Sequence, residues 1–154
     1  LITLIEPDKR SHGEIPLQCT LPTGDEFIVP SNLYIIGTMN TADKSIALLD
    51  IALRRRFELE AMYPLYYIEG KEIYDNDILK KINEAIIKKK GHDFQIGHAY
   101  FMNNSQSLAD RMNKRVIPLL MEYFMNDEKE VTEILKSAGL SGDQTKYPLQ
   151  ITAS

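Results

Sequence analysis

N-L-Y-I-I-G-T-M-N-T-A-D-K-S-I-A-L-L-D-I-A-L-R-R-R-F, residues 32–57, is the stretch on which the fold turns. It opens on residues 33–36, an apolar run too short to cross a membrane and rich enough in Ile and Tyr to read as a buried strand. Gly37 ends the run, and polar residues crowd the next positions: Thr38, Asn40, Thr41, Asp43, Lys44 and Ser45. A helical pattern succeeds them, with Ile46, Leu49 and Leu53 on one face, and it closes on Arg54, Arg55 and Arg56. In open α/β sheets, ligands bind outside the carboxyl ends of the strands. A strand that delivers Asn and Asp to such an edge, followed by a helix that delivers three guanidiniums, points to chemistry on phosphate.

Outward from that stretch, composition sets the bounds. A chain of 154 residues, 44% hydrophobic and 26% charged, suits one globular domain or a domain piece with a small appendage. The net charge of −4 argues against a dedicated nucleic-acid binder. The single cysteine, Cys19, excludes an internal disulfide and fits a reducing cytosol; in a strand it reads as a small buried residue. With no leader-like segment, long apolar span or lipidation motif, a cytoplasmic protein without a membrane is the expectation. The chain starts without Met, inside what reads as a helix end, and is taken as a piece of a longer protein.

In chain order, residues 1–5 read as the last turns of a helix stopped at Pro7, and residues 8–13 as turn chemistry. Residues 15–21 and 26–29 read as strands of a hairpin about a turn at 22–25. Residues 57–62 alternate apolar and polar, which reads as a strand returning to the sheet and ending at Pro64. From Tyr74 the period becomes helical: Ile78, Leu79, Ile82, Ala85 and Ile86, with Asp75 or Asn76 as N-cap and Gly91 as the stop. The lysines at 88–90 read as solvated cations at the negative helix end. A second helix starts at Ser105 or Ser107, with Pro118 expected to kink it. A third spans 127–138 and stops at Gly139; residues 141–154 show no clear period.

The strings G-T-M-N-T-A-D-K-S (37–45) and A-L-L-D-I-A-L-R-R-R-F (47–57) resemble the signature of the McrB family, AAA+ nucleotide-hydrolysing subunits of modification-dependent restriction systems. The family pattern is close to M-N-T-A-D-R-S with a downstream A-L-R-R-R-F, and the departure is Lys44 where Arg is usual. L-I-E-P-D-K-R (4–10) and F-Q-I-G-H-A-Y-F (94–101) are weaker echoes. The resemblance implies an α/β fold with a helical subdomain: the C-terminal part of a AAA+ P-loop NTPase core over 1–62, an α-helical lid over 63–140, and a tail of uncertain structure over 141–154. It implies, for the intact protein, hydrolysis of GTP, or ATP, with Mg²⁺, in a cytoplasmic ring of identical subunits, hexameric by analogy. The partners implied are a McrC-like endonuclease subunit and 5-methylcytosine-modified DNA, the latter bound by regions outside this segment. The alternatives are another AAA+ remodelling ATPase, MoxR-like or midasin-like, and a non-catalytic interaction module.

The resemblance also assigns roles to residues. Asn40 matches the sensor 1 position, where a carboxamide can both donate and accept near the attacking water; the plain alternative is a turn former after a strand. Asp43 either positions water or a partner or caps the next helix. Arg55 and Arg56 are the candidates for an arginine finger acting on a neighbouring subunit's nucleotide; the alternative is cations complementing a helix C-terminus. His98 falls at the sensor 2 position of the lid, usually Arg, and is the nucleotide-contacting candidate; the alternative is a hydrogen-bonded structural His. Asp8, Lys9 and Arg10 read as a solvated turn or a ring-interface patch, and Thr38 and Thr41 as structural hydroxyls. No residues match G-x-x-x-x-G-K-[ST]: around Gly70-Lys71, Leu65 stands at the first Gly and Glu72 at Ser/Thr. No hydrophobic strand pattern ends in Asp-Glu, and no cluster has metal-ligand spacing. The segment alone is therefore expected to hold no nucleotide tightly and to be inactive.

Overall fold

A computed structural model of the chain describes residues 2–40, 42, 51–103, 105–143 and 145–151. The chain forms two compact units, Leu1–Ala61 and Met62–Ser154.

In the first unit, two short 3₁₀ turns, Ile2–Ile5 and Pro7–Lys9, stand where the end of an α-helix was expected. Pro7 has no amide to donate back into the preceding turn, so the helix cannot continue through it. Arg10 then reaches back. Its Nε and Nη2 donate to the Ile5 carbonyl at 3.0 and 2.8 Å, and its Nη1 donates to the Leu33 carbonyl at 2.6 Å. Strands β1 (Cys19–Thr20) and β2 (Glu26–Phe27) form the expected antiparallel hairpin, with Cys19 opposite Phe27. Its turn needs Gly24, whose φ of +90° lies where a Cβ is disfavoured. A single helical turn, α1 (Ile51–Arg54), ends this unit's regular structure.

Residues 33–36 are not the buried strand expected. They form no ladder, and Tyr34 and Ile36 are 90% and 94% exposed. Strand identity depends on a partner backbone, and among the described residues none pairs with this run. The Leu33 carbonyl is instead taken by the Arg10 guanidinium. Residues 57–62 likewise form no strand, and Met62 is exposed. Among the described residues, strands pair only in twos and antiparallel. The helical pattern from Ile46 to Leu49 lies outside the described residues, as do Thr41, Lys44 and Ser45.

The second unit is a helical domain with its own core. It opens on a tight hairpin the periodicity did not reveal, β3 (Tyr67–Ile68) with β4 (Lys71–Glu72). Glu69 and Gly70 both take positive φ, 51° and 78°, as two-residue hairpin turns of right-handed twist require. Helix α2 (Asn76–Lys90) follows, burying Leu79, Ile82 and Ile86 completely. Each such side chain contributes about 1.5–3 kcal/mol relative to exposure. Asp75 occupies the N-cap position but caps nothing with its side chain: its carboxylate pairs with the buried Arg111. Gly91 stops the helix at φ +99°, its amide donating to the Ile87 carbonyl.

The lysines closing α2 are not all simple solvated cations. Lys89 pairs with Glu130 and Glu133 at 2.5 and 2.8 Å, and Lys90 lies over the Phe94 and Phe124 rings. The hydrogen bonds to Glu130 and then Glu133 push the Lys89 ammonium up to about 12.

The second helix is interrupted rather than simply kinked. Ser107 caps α3 (Leu108–Arg111), its hydroxyl accepting the Asp110 amide at 3.1 Å. A π-helical turn, Met112–Val116, then leads into α4 (Ile117–Tyr123). The Ile117 amide bonds the Met112 carbonyl five residues back. Pro118 falls in the first turn of α4, where its missing amide is tolerated, and is exposed. Helix α5 (Glu128–Ser137) is capped by Asp127, whose carboxylate accepts the Lys129 and Glu130 amides.

The segment after Gly139 belongs to this core. Strands β5 (Gly142–Asp143) and β6 (Gln150–Ile151) pair antiparallel, and Leu149 and Ile151 are buried. Asn113, in the π turn, holds β6 by both ends of its carboxamide. Its Oδ1 accepts the Ile151 amide at 2.7 Å, and its Nδ2 donates to the Ile151 carbonyl at 3.0 Å. No described helix is long and apolar enough to cross a membrane.

Candidate functional site

In the second unit, the sequence candidate is His98. It begins a short 3₁₀ turn, His98–Phe101, anchored by the fully buried Phe101. His98 is half-buried, and its Nδ1 accepts the Leu65 amide at 3.0 Å. In the neutral ring this places the proton on Nε2, a donor suited to an anionic oxygen.

The neighbourhood of that bond is held by a residue the sequence did not flag. Asn83 lies on the buried face of α2 between Leu79 and Ile86 and has no exposed surface. Its Oδ1 accepts the Ile96 amide at 2.7 Å, while Nδ2 donates to the Ile96 carbonyl at 3.0 Å and to the Tyr66 hydroxyl at 3.4 Å. The signal was present: a carboxamide at a core position of an amphipathic helix must find partners, because an unsatisfied buried amide is costly. Which backbone it meets is a tertiary matter.

In the first unit, the three arginines separate. Arg54 ends α1, and the Arg56 amide donates to the Leu53 carbonyl at 3.0 Å as the chain leaves the helix. Arg56 is half-buried and forms an ion pair with Glu6. Arg55 is exposed and carries no ion pair or side-chain hydrogen bond to the described residues. Both line one open groove with Glu6, Pro7, Phe57 and Glu58. One guanidinium is therefore tethered and its neighbour is presented.

Asn40 is exposed, and its Oδ1 accepts the Ala42 amide at 3.1 Å, the geometry of an Asx turn. Thr38 is exposed as well, and Asp43 lies outside the described residues. Of the 8–10 patch, Lys9 pairs with Asp8 at 2.8 Å, which holds that carboxyl below its usual range, while Arg10 is the backbone clamp described above. Cys19 is a partly buried free thiol in β1. No group of three metal-binding side chains occurs among the described residues.

Two comparisons bear on this arrangement. The family model described as McrB, alpha-helical lid domain, matches residues 76–132. The chain is also 33% identical over 152 residues to the Type IV methyl-directed restriction enzyme EcoKMcrB subunit of Escherichia coli (strain K12). That similarity covers 82% of this chain and 33% of the relative, so the chain spans about a third of the length of the curated protein it matches.

Proposed function

Because this chain is McrB-like and carries the McrB α-helical lid, we propose that it is the sensing half of a AAA+ nucleotide site in a restriction NTPase. In this reading the first unit, together with the rest of a P-loop core, forms the α/β layer. The exposed apolar run at 33–36 is a sheet strand that gains its ladder partners from that core. The lid is the second unit.

The observation that carries the reading is the division of labour at Arg55 and Arg56. Glu6 fixes Arg56, and Arg55 projects beside it without a partner among the described residues. A cation serving only the helix dipole needs no such tether. A guanidinium that must meet the developing charge on a neighbouring subunit's phosphoryl group has to be both available and held in register. Arg55 is thus the trans-acting finger and Arg56 its anchor.

In the first unit the donor set of Arg55 and the Asn40 carboxamide suits phosphate oxygens, as does, in the second unit taken by itself, the His98 Nε2–H. It does not suit Mg²⁺, since no carboxylate cluster accompanies it among the described residues. The metal, which would neutralise phosphate charge when bound, and the phosphate-cradling loop are assigned to the remainder of the intact protein. GTP is the favoured substrate, with ring assembly and a McrC-like nuclease acting on methylated DNA as the context. Asn40 orients the attacking water, with Asp43 beside it in sequence.

Complementation in the intact protein tests this. Arg55→Ala should leave nucleotide binding intact and lower hydrolysis by roughly 10³–10⁵, the range for a trans-acting finger. Mixing it with a variant whose P-loop lysine is removed should restore part of the activity, because the second variant brings an intact Arg55 to an occupied neighbouring site. Mixed rings that assemble but stay as inactive as the separate variants would show the assignment to be wrong.

A further inference from the structure

We propose that Asn83 is a positioning residue for the lid histidine: it fixes, from the core, both partners of the His98–Leu65 hydrogen bond. The inference deepens the nucleotide-site reading and rests on it for the role of His98.

Both partners of that bond trace back to one carboxamide. On one side, Asn83 grips the amide and carbonyl of Ile96, as a neighbouring β-strand would. Ile96 is fully buried, and Gly97 alone separates it from His98. On the other side, Asn83 donates to the hydroxyl of Tyr66, the residue next to Leu65, whose amide meets His98 Nδ1. Hydrogen bonds and short chain links thus close a ring through Asn83, Ile96, His98, Leu65 and Tyr66. Asn83 joins this ring from the core, standing on α2 between fully buried Leu79 and Ile86.

The chemistry requires this residue type. Only a carboxamide can accept one backbone amide while donating to a carbonyl and a hydroxyl. Asp would put a carboxylate oxygen against the Ile96 carbonyl, and Leu would leave both Ile96 groups without a partner in the core. A longer Gln would not keep both contacts to one residue. With Nδ1 committed to the Leu65 amide, His98 has a single tautomer and one remaining donor, Nε2–H, whose placement depends on the ring. Displacements of about 1 Å from productive geometry cost on the order of a hundredfold in rate.

The test is a heteronuclear NMR measurement on this chain at about pH 8, where an ordinary imidazole is neutral. An N–H···N bond between Leu65 and His98 Nδ1 carries a scalar coupling between the two nitrogens. The wild-type chain should show it, and Asn83→Ala should lose it while signals of α5 persist. Should Asn83→Ala fail to fold, Tyr66→Phe decides, since it removes only the hydroxyl that ties Leu65's neighbour to Asn83. Persistence of the coupling in the deciding variant, or its absence in the wild type, overturns the proposal. A second arm uses the intact NTPase. There Tyr66→Phe should lower kcat roughly tenfold to a hundredfold with little change in KM. Loss of the coupling with turnover unchanged would uphold the positioning of His98 and reject its place in the nucleotide site.

Discussion

Replacing Asn113 with Ala should detach the end of the chain from the helical unit, and the structure sets the size of the effect. The Asn113 carboxamide is the partner of both backbone groups of Ile151, at 2.7 and 3.0 Å, and Ile151 is 5% exposed. Its removal strands one donor and one acceptor. An unsatisfied buried polar group costs about 1–3 kcal/mol. Asn113 is itself only half-buried, so water reaches part of the vacated space and the lower end applies, about 1 kcal/mol for each group. The expected loss is about 2 kcal/mol. In a unit of this size that lowers Tm by roughly 10 °C. Urea unfolding of the chain measures the first quantity and a thermal scan the second, with hydrogen exchange at the Ile151 amide locating the change. Leu149→Ala provides the scale, since emptying a fully buried leucine position costs about 2–5 kcal/mol. A stability change under about 0.5 kcal/mol, with the Ile151 amide still protected, would refute the claim that this clamp integrates the last strand.

The same packing sets three further outcomes. The Lys89 contribution should be fully present below about pH 10.5 and lost as pH rises through about 12, because pairing raises the folded-state value; Lys89→Met should remove that part of the alkaline dependence in pH-resolved melts, and salt should weaken it. Asp143 is held below its ordinary 3.8 by the Thr145 hydroxyl and then the Thr145 amide, so its contribution is present above that value and lost as pH falls through the depressed one. Thr145→Val should accordingly flatten the acid limb of stability by lowering it near neutrality, where the Asp143 contribution is fully present, while leaving it unchanged at low pH. Ile86→Ala should destabilise the helical unit by about 2–5 kcal/mol in urea, whereas Lys88→Ala on the exposed side of the same helix should stay within about 0.5 kcal/mol.

The helical unit was largely legible because its determinants are local. The apolar period of α2, the start of the second helix after Ser107, the third helix within 127–138 and the Gly91 stop are each set within a few residues, and each stands where the sequence put it. The run at 33–36 forms no strand among the described residues for the opposite reason. Its residues suit a strand, but a strand forms only where another backbone aligns with it, and Arg10 occupies Leu33 instead. Pro118 announced a break in the second helix without saying that the break takes the form of a π turn. The candidate site was legible as residue types but not as roles. Nothing in R-R-R shows that Glu6 tethers the third arginine and not the second. Asn83 and Asn113 escaped notice because a polar residue inside an apolar stripe names no partner, and their partners lie 13 and 38 positions away.

The π turn at Met112–Val116 also makes the helix tolerant of a change in length. Each residue advances an α-helix by about 100°, so an inserted residue ordinarily rotates everything beyond it off the core. Here the surplus is absorbed within one turn, and Met112, Val116 and Leu120, spaced four apart, all stay fully buried. Removing exposed Lys114 would bring Met112 and Val116 to a spacing of three, which an ordinary α-helix, as with the present four, keeps on one face. An insertion or deletion at this seam can thus be taken up while the interior stays in register. The carboxamide of Asn113, and with it the grip on the last strand, is what such an indel would displace.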